Sequence, residues 1–178
     1  MKTITLLLLL AFSSTFAQNK FITKTGVINF EASVPSFEEV AATNASVTAI
    51  VNTENGEIAA LALVKGFRFK NALMEEHFNE NYAESDKFPK ATFKGKIEDF
   101  SLEKNENTYL LNGELSFQGK TKAIENIKVK TSVVGDKIIL TGEFLTKASD
   151  FNIEIPKIVS NKITEDITIT FQFELVKK

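Results

Sequence analysis

Apolar and polar residues alternate along most of this 178-residue chain. A period of two is typical of β-strands with one buried face, because successive side chains point to opposite faces of a sheet. The clearest run is 165–176, whose apolar positions are Ile167, Ile169, Phe171, Phe173 and Leu175. The runs 90–98 and 109–118 alternate in the same way. The pattern therefore restricts the chain to folds that bury one face of a large sheet.

Less regular alternation predicts further strands, at 20–24, 26–34, 45–53, 57–69, 121–134 and 137–147. Between strands lie Asn55-Gly56, Gly119-Lys120 and Gly135-Asp136, which are typical of tight hairpin connections. About eight half-buried strands joined by short turns indicate an all-β fold, a single meandering antiparallel sheet. We predict that this sheet closes into a β-barrel, since closure removes the exposed edges.

The first 17 residues have the layout of a signal peptide. Lys2 supplies a positive charge, residues 4–12 are apolar, and Thr15-Phe16-Ala17 forms a small-x-small cleavage signal. The apolar stretch is too short for a membrane anchor, because a spanning helix needs about 20 apolar residues. We expect residues 1–17 to be cleaved and residues 18–178 to form one periplasmic or secreted domain with no integral membrane span.

Composition excludes several kinds of site. The chain has no cysteine and a single histidine, so disulfides, thiolate metal sites and multi-histidine metal sites cannot form. The formal net charge is −2, and interleaved Lys and Glu residues provide no basic face for nucleic acid. We expect no metal and no cofactor. The 16 phenylalanines and the absence of tryptophan favour either a large packed core or an apolar pocket.

One segment departs from the alternation and predicts a helix from Asn71 to about Glu84. Met74, Phe78 and Tyr82 stand at i, i+4 and i+8, which places them on one helical face. A sheet does not need this helix, so we expect it to cap whatever the sheet encloses. A second break, 149–161, predicts an irregular crossing with a single helical turn.

The polar residues form no recognisable catalytic motif. His77 beside the apolar face of the helix is interpreted as a packed residue, with an acid–base or headgroup-binding role as the alternative. Adjacent carboxylates such as Glu75 and Glu76 point in different directions and suit a solvated surface. The loop residues Asp86 and Asp150 are weak catalytic candidates.

Three glycines lie on apolar strand faces, at Gly95, Gly113 and Gly142. Glycine within a strand marks a bend, a bulge or the close approach of another group. The glycines therefore either allow the barrel to coil or leave interior space for a ligand. The second interpretation predicts that Gly113→Leu lowers the loading of such a ligand more than it lowers stability.

Four segments resemble the YceI-like family. They are His77-Phe78 through Phe88-Pro89-Lys90-Ala91-Thr92-Phe93, the hairpin 113–122, the segment Ala148-Ser149-Asp150-Phe151-Asn152-Ile153, and the closing strand 162–175. The chain departs from the family pattern at Asn152, where glycine is usual, and at Lys147, near which arginine is frequent. The resemblance implies a lipocalin-like extended barrel around a polyisoprenoid or similar long apolar lipid, exported, without a metal and not enzymatic.

The favoured hypothesis is a non-catalytic protein that carries or sequesters a long apolar lipid. At the capped end we expect Leu73, Met74 and Phe78 to line the ligand site. The expected wall residues share apolar strand positions and are Phe67, Phe69, Phe93, Phe117, Phe144, Phe171 and Phe173. The alternatives are a filled barrel that acts through protein contacts at its surface and a hydrolase or isomerase using His77. The sequence leaves a homodimer open.

Overall fold

The computed structural model describes residues 19–34, 38–103 and 105–178. Over these residues nine strands are formed: β1 Lys20–Ser33, β2 Ala41–Asn52, β3 Glu57–Leu63, β4 Arg68–Phe69, β5 Lys90–Ile97, β6 Glu106–Phe117, β7 Lys120–Val134, β8 Lys137–Lys147 and β9 Ile163–Lys177. The helical elements are an α-helix α1 at Ala72–His77, a π-helical turn at Phe78–Tyr82, and 3-10 turns at Val64–Gly66 and Ala148–Phe151. The predicted signal peptide lies outside the described residues.

The strands form one antiparallel sheet with the order β1-β9-β8-β7-β6-β5-β3-β2. Strand β1 also pairs with β2, which closes this ring of strands into a barrel. The two-residue strand β4 is an addition that pairs with Ala42 and Thr43 of β2. The predicted closed barrel of eight main strands is therefore confirmed.

Several strand boundaries differ from the sequence predictions. Residues 20–24 and 26–34 form one strand, β1, whose pairing with β2 shifts register on both sides of Gly26. A bulge bends a strand without ending it. In the sequence pattern, such a bulge looks the same as a turn between two strands. The predicted strand 57–69 ends at Leu63, because residues 64–66 form a 3-10 turn.

The end of the barrel away from α1 is solidly packed. Ile97, Val129, Ile138, Leu140 and Leu175 are each no more than 1% exposed. Burial of each such side chain contributes about 1.5–3 kcal/mol to folding. Because the chain has no cysteine and therefore no disulfide, this packed layer is a main source of its stability.

The α1 end is organised differently. The helical segment lies beside the end of β6, because the Phe78 ring centroid is 6.5 Å from that of Phe117, the last residue of β6. No helix among the described residues is long and apolar enough to cross a membrane.

Candidate ligand-binding cavity

A cavity of about 410 Å³ occupies the half of the barrel beneath the helical segment 72–82. This volume lies within the range of small-molecule sites. Its lining is predominantly apolar and comes from residues 38–40, Phe67, strands β1 and β3–β9, α1, the π-helical turn and the crossing 148–162. The polar side chains in the lining are few: Glu38, His77, Tyr82, Thr92, Thr146 and Lys162. The cavity can hold an apolar group but offers little to bind a charged one.

Nine of the ten predicted site residues line this cavity. They come from the cap, the segment before it and four strands: Met74, Phe78, Phe67, Phe69, Phe93, Phe117, Phe144, Phe171 and Phe173. Phe67 and Phe69 reach the same cavity because the 3-10 turn ends at Gly66 and the two residues then alternate in extended backbone.

The prediction for Leu73 is wrong. Its side chain is 57% exposed and lies outside the cavity lining, whereas the neighbouring Met74 is part of that lining. Adjacent residues on an α-helix point about 100° apart, since the helix has 3.6 residues per turn. The face that carries Met74 and Phe78 therefore turns Leu73 towards solvent.

The cap begins at Asn71, whose side-chain oxygen accepts hydrogen bonds from the backbone N–H groups of Leu73 (2.9 Å) and Met74 (3.4 Å). The α-helix predicted to continue to about Glu84 ends at His77, and a π-helical turn follows. In an α-helix with 3.6 residues per turn, residues spaced at i, i+4 and i+8 rotate gradually away from one face. A π turn has more residues per turn and rotates them back. As a result Met74, Phe78 and Tyr82 all line the cavity.

Aromatic rings hold the cap on the barrel. The centroid of Phe78 lies 5.3 Å from that of Phe30, 6.0 Å from that of Phe67 and 5.2 Å from that of Phe69. Edge-to-face and tilted arrangements at such distances add about 0.5–1.5 kcal/mol per pair beyond their burial. Phe30 was missed as a site residue, although it alternates with Ile28 and Ala32, which line the cavity with it.

The contribution of the crossing between β8 and β9 was also missed. Ile153, Ile155 and Val159 line the cavity from this crossing, and Ile163, the first residue of β9, lines it as well. The predicted single helical turn is present at Ala148–Phe151, and Asn152 follows with a φ of 60°. This left-handed conformation favours glycine and tolerates asparagine, which accounts for Asn152 at a position where the resembling family has glycine.

Asp150 anchors that crossing. Its carboxylate accepts hydrogen bonds from the Lys122 ammonium at 2.8 Å and from the Lys147 N–H at 3.2 Å. The bond from Lys122 is the larger cause that holds the pKa of Asp150 below its ordinary value of 3.8. Asp150 is thus a structural anchor for Ala148 and Phe151, both of which line the cavity.

We predict that Asp150→Asn lowers the free energy of unfolding by about 0.5–1 kcal/mol at neutral pH, a small loss because the Lys122 side chain is half exposed and screened. The lowered pKa means that the ionised carboxylate stabilises the fold above pH 3.8 and loses this effect as pH falls through the folded-state pKa. Urea unfolding at several pH values would show the wild-type and variant stabilities converging in acid. A difference that persists at low pH would contradict this account.

Among the residues that the structure describes, none hydrogen-bonds the His77 side chain or forms an ion pair with it. The packed interpretation is wrong, because the residue is exposed on the rim of the cavity. Of the loop carboxylates, Asp86 pairs with Lys65 at 2.5 Å and Asp150 pairs with Lys122. Within residues 19–34, 38–103 and 105–178, no group of three or more His, Cys, Asp or Glu side chains could hold a metal ion.

The three strand glycines do not line the cavity. A Cβ at Gly113 would lie 2.5 Å from the Lys94 carbonyl oxygen and 2.5 Å from Cζ of Phe93. At Gly142 it would meet the ring of Phe171. These glycines allow rings and backbone to approach closely, so the interpretation that they create lumen is wrong.

The fold and the cavity together define a closed antiparallel barrel with a capped apolar interior. The model of the YceI-like domain matches residues 14–175 of the sequence, and the chain belongs to this family. No curated protein matches the chain significantly.

Solved structures share the fold. A polyisoprenoid binding domain from Saccharophagus degradans, implicated in plant cell wall breakdown, aligns with a TM-score of 0.76 at 13% identity, covering 90% of this chain and 99% of that one. BcnA from Burkholderia cenocepacia aligns with a TM-score of 0.70 at 17% identity, covering 86% and 96%. The YceI protein of Campylobacter jejuni aligns with a TM-score of 0.60 at 19% identity, covering 75% and 81%.

Proposed function

We propose that this protein is exported and encloses the tail of one long apolar lipid, of the polyisoprenoid type, for carriage or sequestration without catalysis. The observation that carries the proposal is the apolar cavity of about 410 Å³ beneath the cap. The similarity to a polyisoprenoid binding domain supports the ligand class, and the amino-terminal residues 1–17 support export.

Apolar burial supplies enough free energy for such binding. Each buried methylene contributes about 0.8 kcal/mol, so a tail that fills the cavity needs no charged anchor. A filled barrel would leave no such space, and the cavity beneath Met74 and Phe78 favours the carrier over the alternative of a purely surface-acting protein.

Native mass spectrometry of the protein made in its own exported compartment tests the proposal. We expect a bound mass that is released on unfolding and extracted into organic solvent, and a chain that begins at Gln18. A uniformly ligand-free protein under mild conditions would contradict carriage and support a function at the surface. The same spectrum reports whether the protein is a monomer or a homodimer.

A further inference from the structure

The cavity ends abruptly within the barrel, and the same boundary appears on the five consecutive strands β5–β9. On β5, Phe93 lines the cavity, while Ile97, further from the cap, does not. On β9, Phe173 lines it and Leu175, the next inward residue away from the cap, does not. Both excluded residues are fully buried, so the space stops there because side chains fill the barrel.

Strands β6, β7 and β8 continue this boundary. On β6, Leu111 lines the cavity and Tyr109 lies beyond it; on β7, Ile127 lines it and Val129 lies beyond it. On β8, Phe144 lines the cavity and Leu140 lies beyond it. The residues beyond the boundary form a layer that we call the floor: Ile97, Tyr109, Val129, Leu140 and Leu175.

The floor is built to stay closed. Four of its members are 0% exposed and Tyr109 is 8% exposed. The Tyr109 hydroxyl donates a hydrogen bond to the Ser101 carbonyl at 2.5 Å, and its oxygen accepts one from the Ser101 N–H at 3.2 Å. A close-packed layer whose polar group is satisfied has no low-energy way to open for a ligand.

The opposite end of the cavity is the entrance. Its lining there includes the exposed residues Glu38, His77 and Lys162, whereas Ile58, Leu111 and Ile127 at the deep end are at most 4% exposed. An apolar tail must therefore enter from the cap end and proceed towards the floor.

We propose that the floor limits the length of tail that the protein binds, so that Ile127 and Leu111 at the deep end determine chain-length specificity. This inference rests on the proposed function. Each methylene that reaches the cavity raises affinity about fourfold, and methylenes beyond the available depth remain in water and add nothing. Affinity should rise with tail length and then reach a plateau.

The experiment uses prenyl alcohols and analogues whose tails are lengthened one carbon at a time, bound to the full mature protein and followed by isothermal titration calorimetry. For the wild type we expect a plateau at a defined length. Ile127→Ala should move that plateau to longer alcohols, and the conservative Ile127→Val should move it less. Ile138→Ala is the matched control, because Ile138 is as buried as Ile127 (1% and 2% exposed) but does not line the cavity.

The outcomes separate the two proposals. A wild-type affinity that keeps rising to the longest alcohols would overturn the role of the floor, as would equal shifts in Ile127→Ala and Ile138→Ala. The wild-type series decides this even if Ile127→Ala does not fold. Failure of every alcohol to bind would instead contradict the proposed function.

Discussion

Ala60→Phe should abolish most lipid binding, lowering the affinity for the tail by roughly 30- to 1,000-fold, the equivalent of about 2–4 kcal/mol. Ala60 lies on the cavity side of β3, opposite Phe93 of β5 in the sheet register. A ring at this position would occupy space that several methylenes of the tail need. Native mass spectrometry after loading with a prenyl alcohol would measure the loss.

The control for this substitution is Ala59→Phe, one residue away on the same strand. Ala59 does not line the cavity, and it points to the other face of the sheet. We expect this variant to load lipid as the wild type does. Both variants should remain folded, with melting temperatures within about 5 °C of the wild type. Full loading of Ala60→Phe would show that the ligand sits elsewhere.

Gly113→Ala should destabilise the barrel by roughly 2–3 kcal/mol. Gly113 pairs directly with Gly95 of β5, and an added Cβ would lie 2.5 Å from the Lys94 carbonyl oxygen and 2.8 Å from the Gly95 Cα. Backbone atoms cannot move away as a flexible side chain can, so the two strands must separate. Urea unfolding would measure the change.

Gly135→Ala is the control that separates two causes of destabilisation, the crowding of an added Cβ and an unfavourable backbone conformation. Gly135 has a φ of +62°, and a Cβ there would meet nothing within 4 Å. Its cost should be only the left-handed conformation, about 1–2 kcal/mol. If Gly113→Ala were no more destabilising than Gly135→Ala, close approach of the strands would not be what requires glycine at position 113.

Much of the site could be predicted from alternation, because a strand residue that faces the core of a barrel also faces any space inside it. Phe93, Phe117 and Phe171 were found in this way. Leu73 was misplaced because a helical segment of a few turns has two plausible inward faces, and only its contacts with the barrel choose between them. Ile155 and Val159 were missed because an irregular crossing has no period from which a face can be read.

For the strand glycines too, the sequence predicted one property and left another to the tertiary structure. Their positions on inward faces were evident from the sequence, but whether they leave space depends on where the neighbouring rings lie. The Phe93 ring covers Gly113 and the Phe171 ring covers Gly142. The side-chain conformations of these two rings are set by packing between strands that are distant in sequence. The pattern of neighbouring residues therefore does not predict them.

An antiparallel barrel with an apolar interior and one helical cap could be predicted from the amino-acid pattern, because residue alternation and turn chemistry act over a few neighbouring residues. The division of the interior into a cavity and a solid floor is evident only in the folded protein. That division depends on how side chains from eight strands meet at each level of the barrel, and the volume left between them is a property of the assembled strands together.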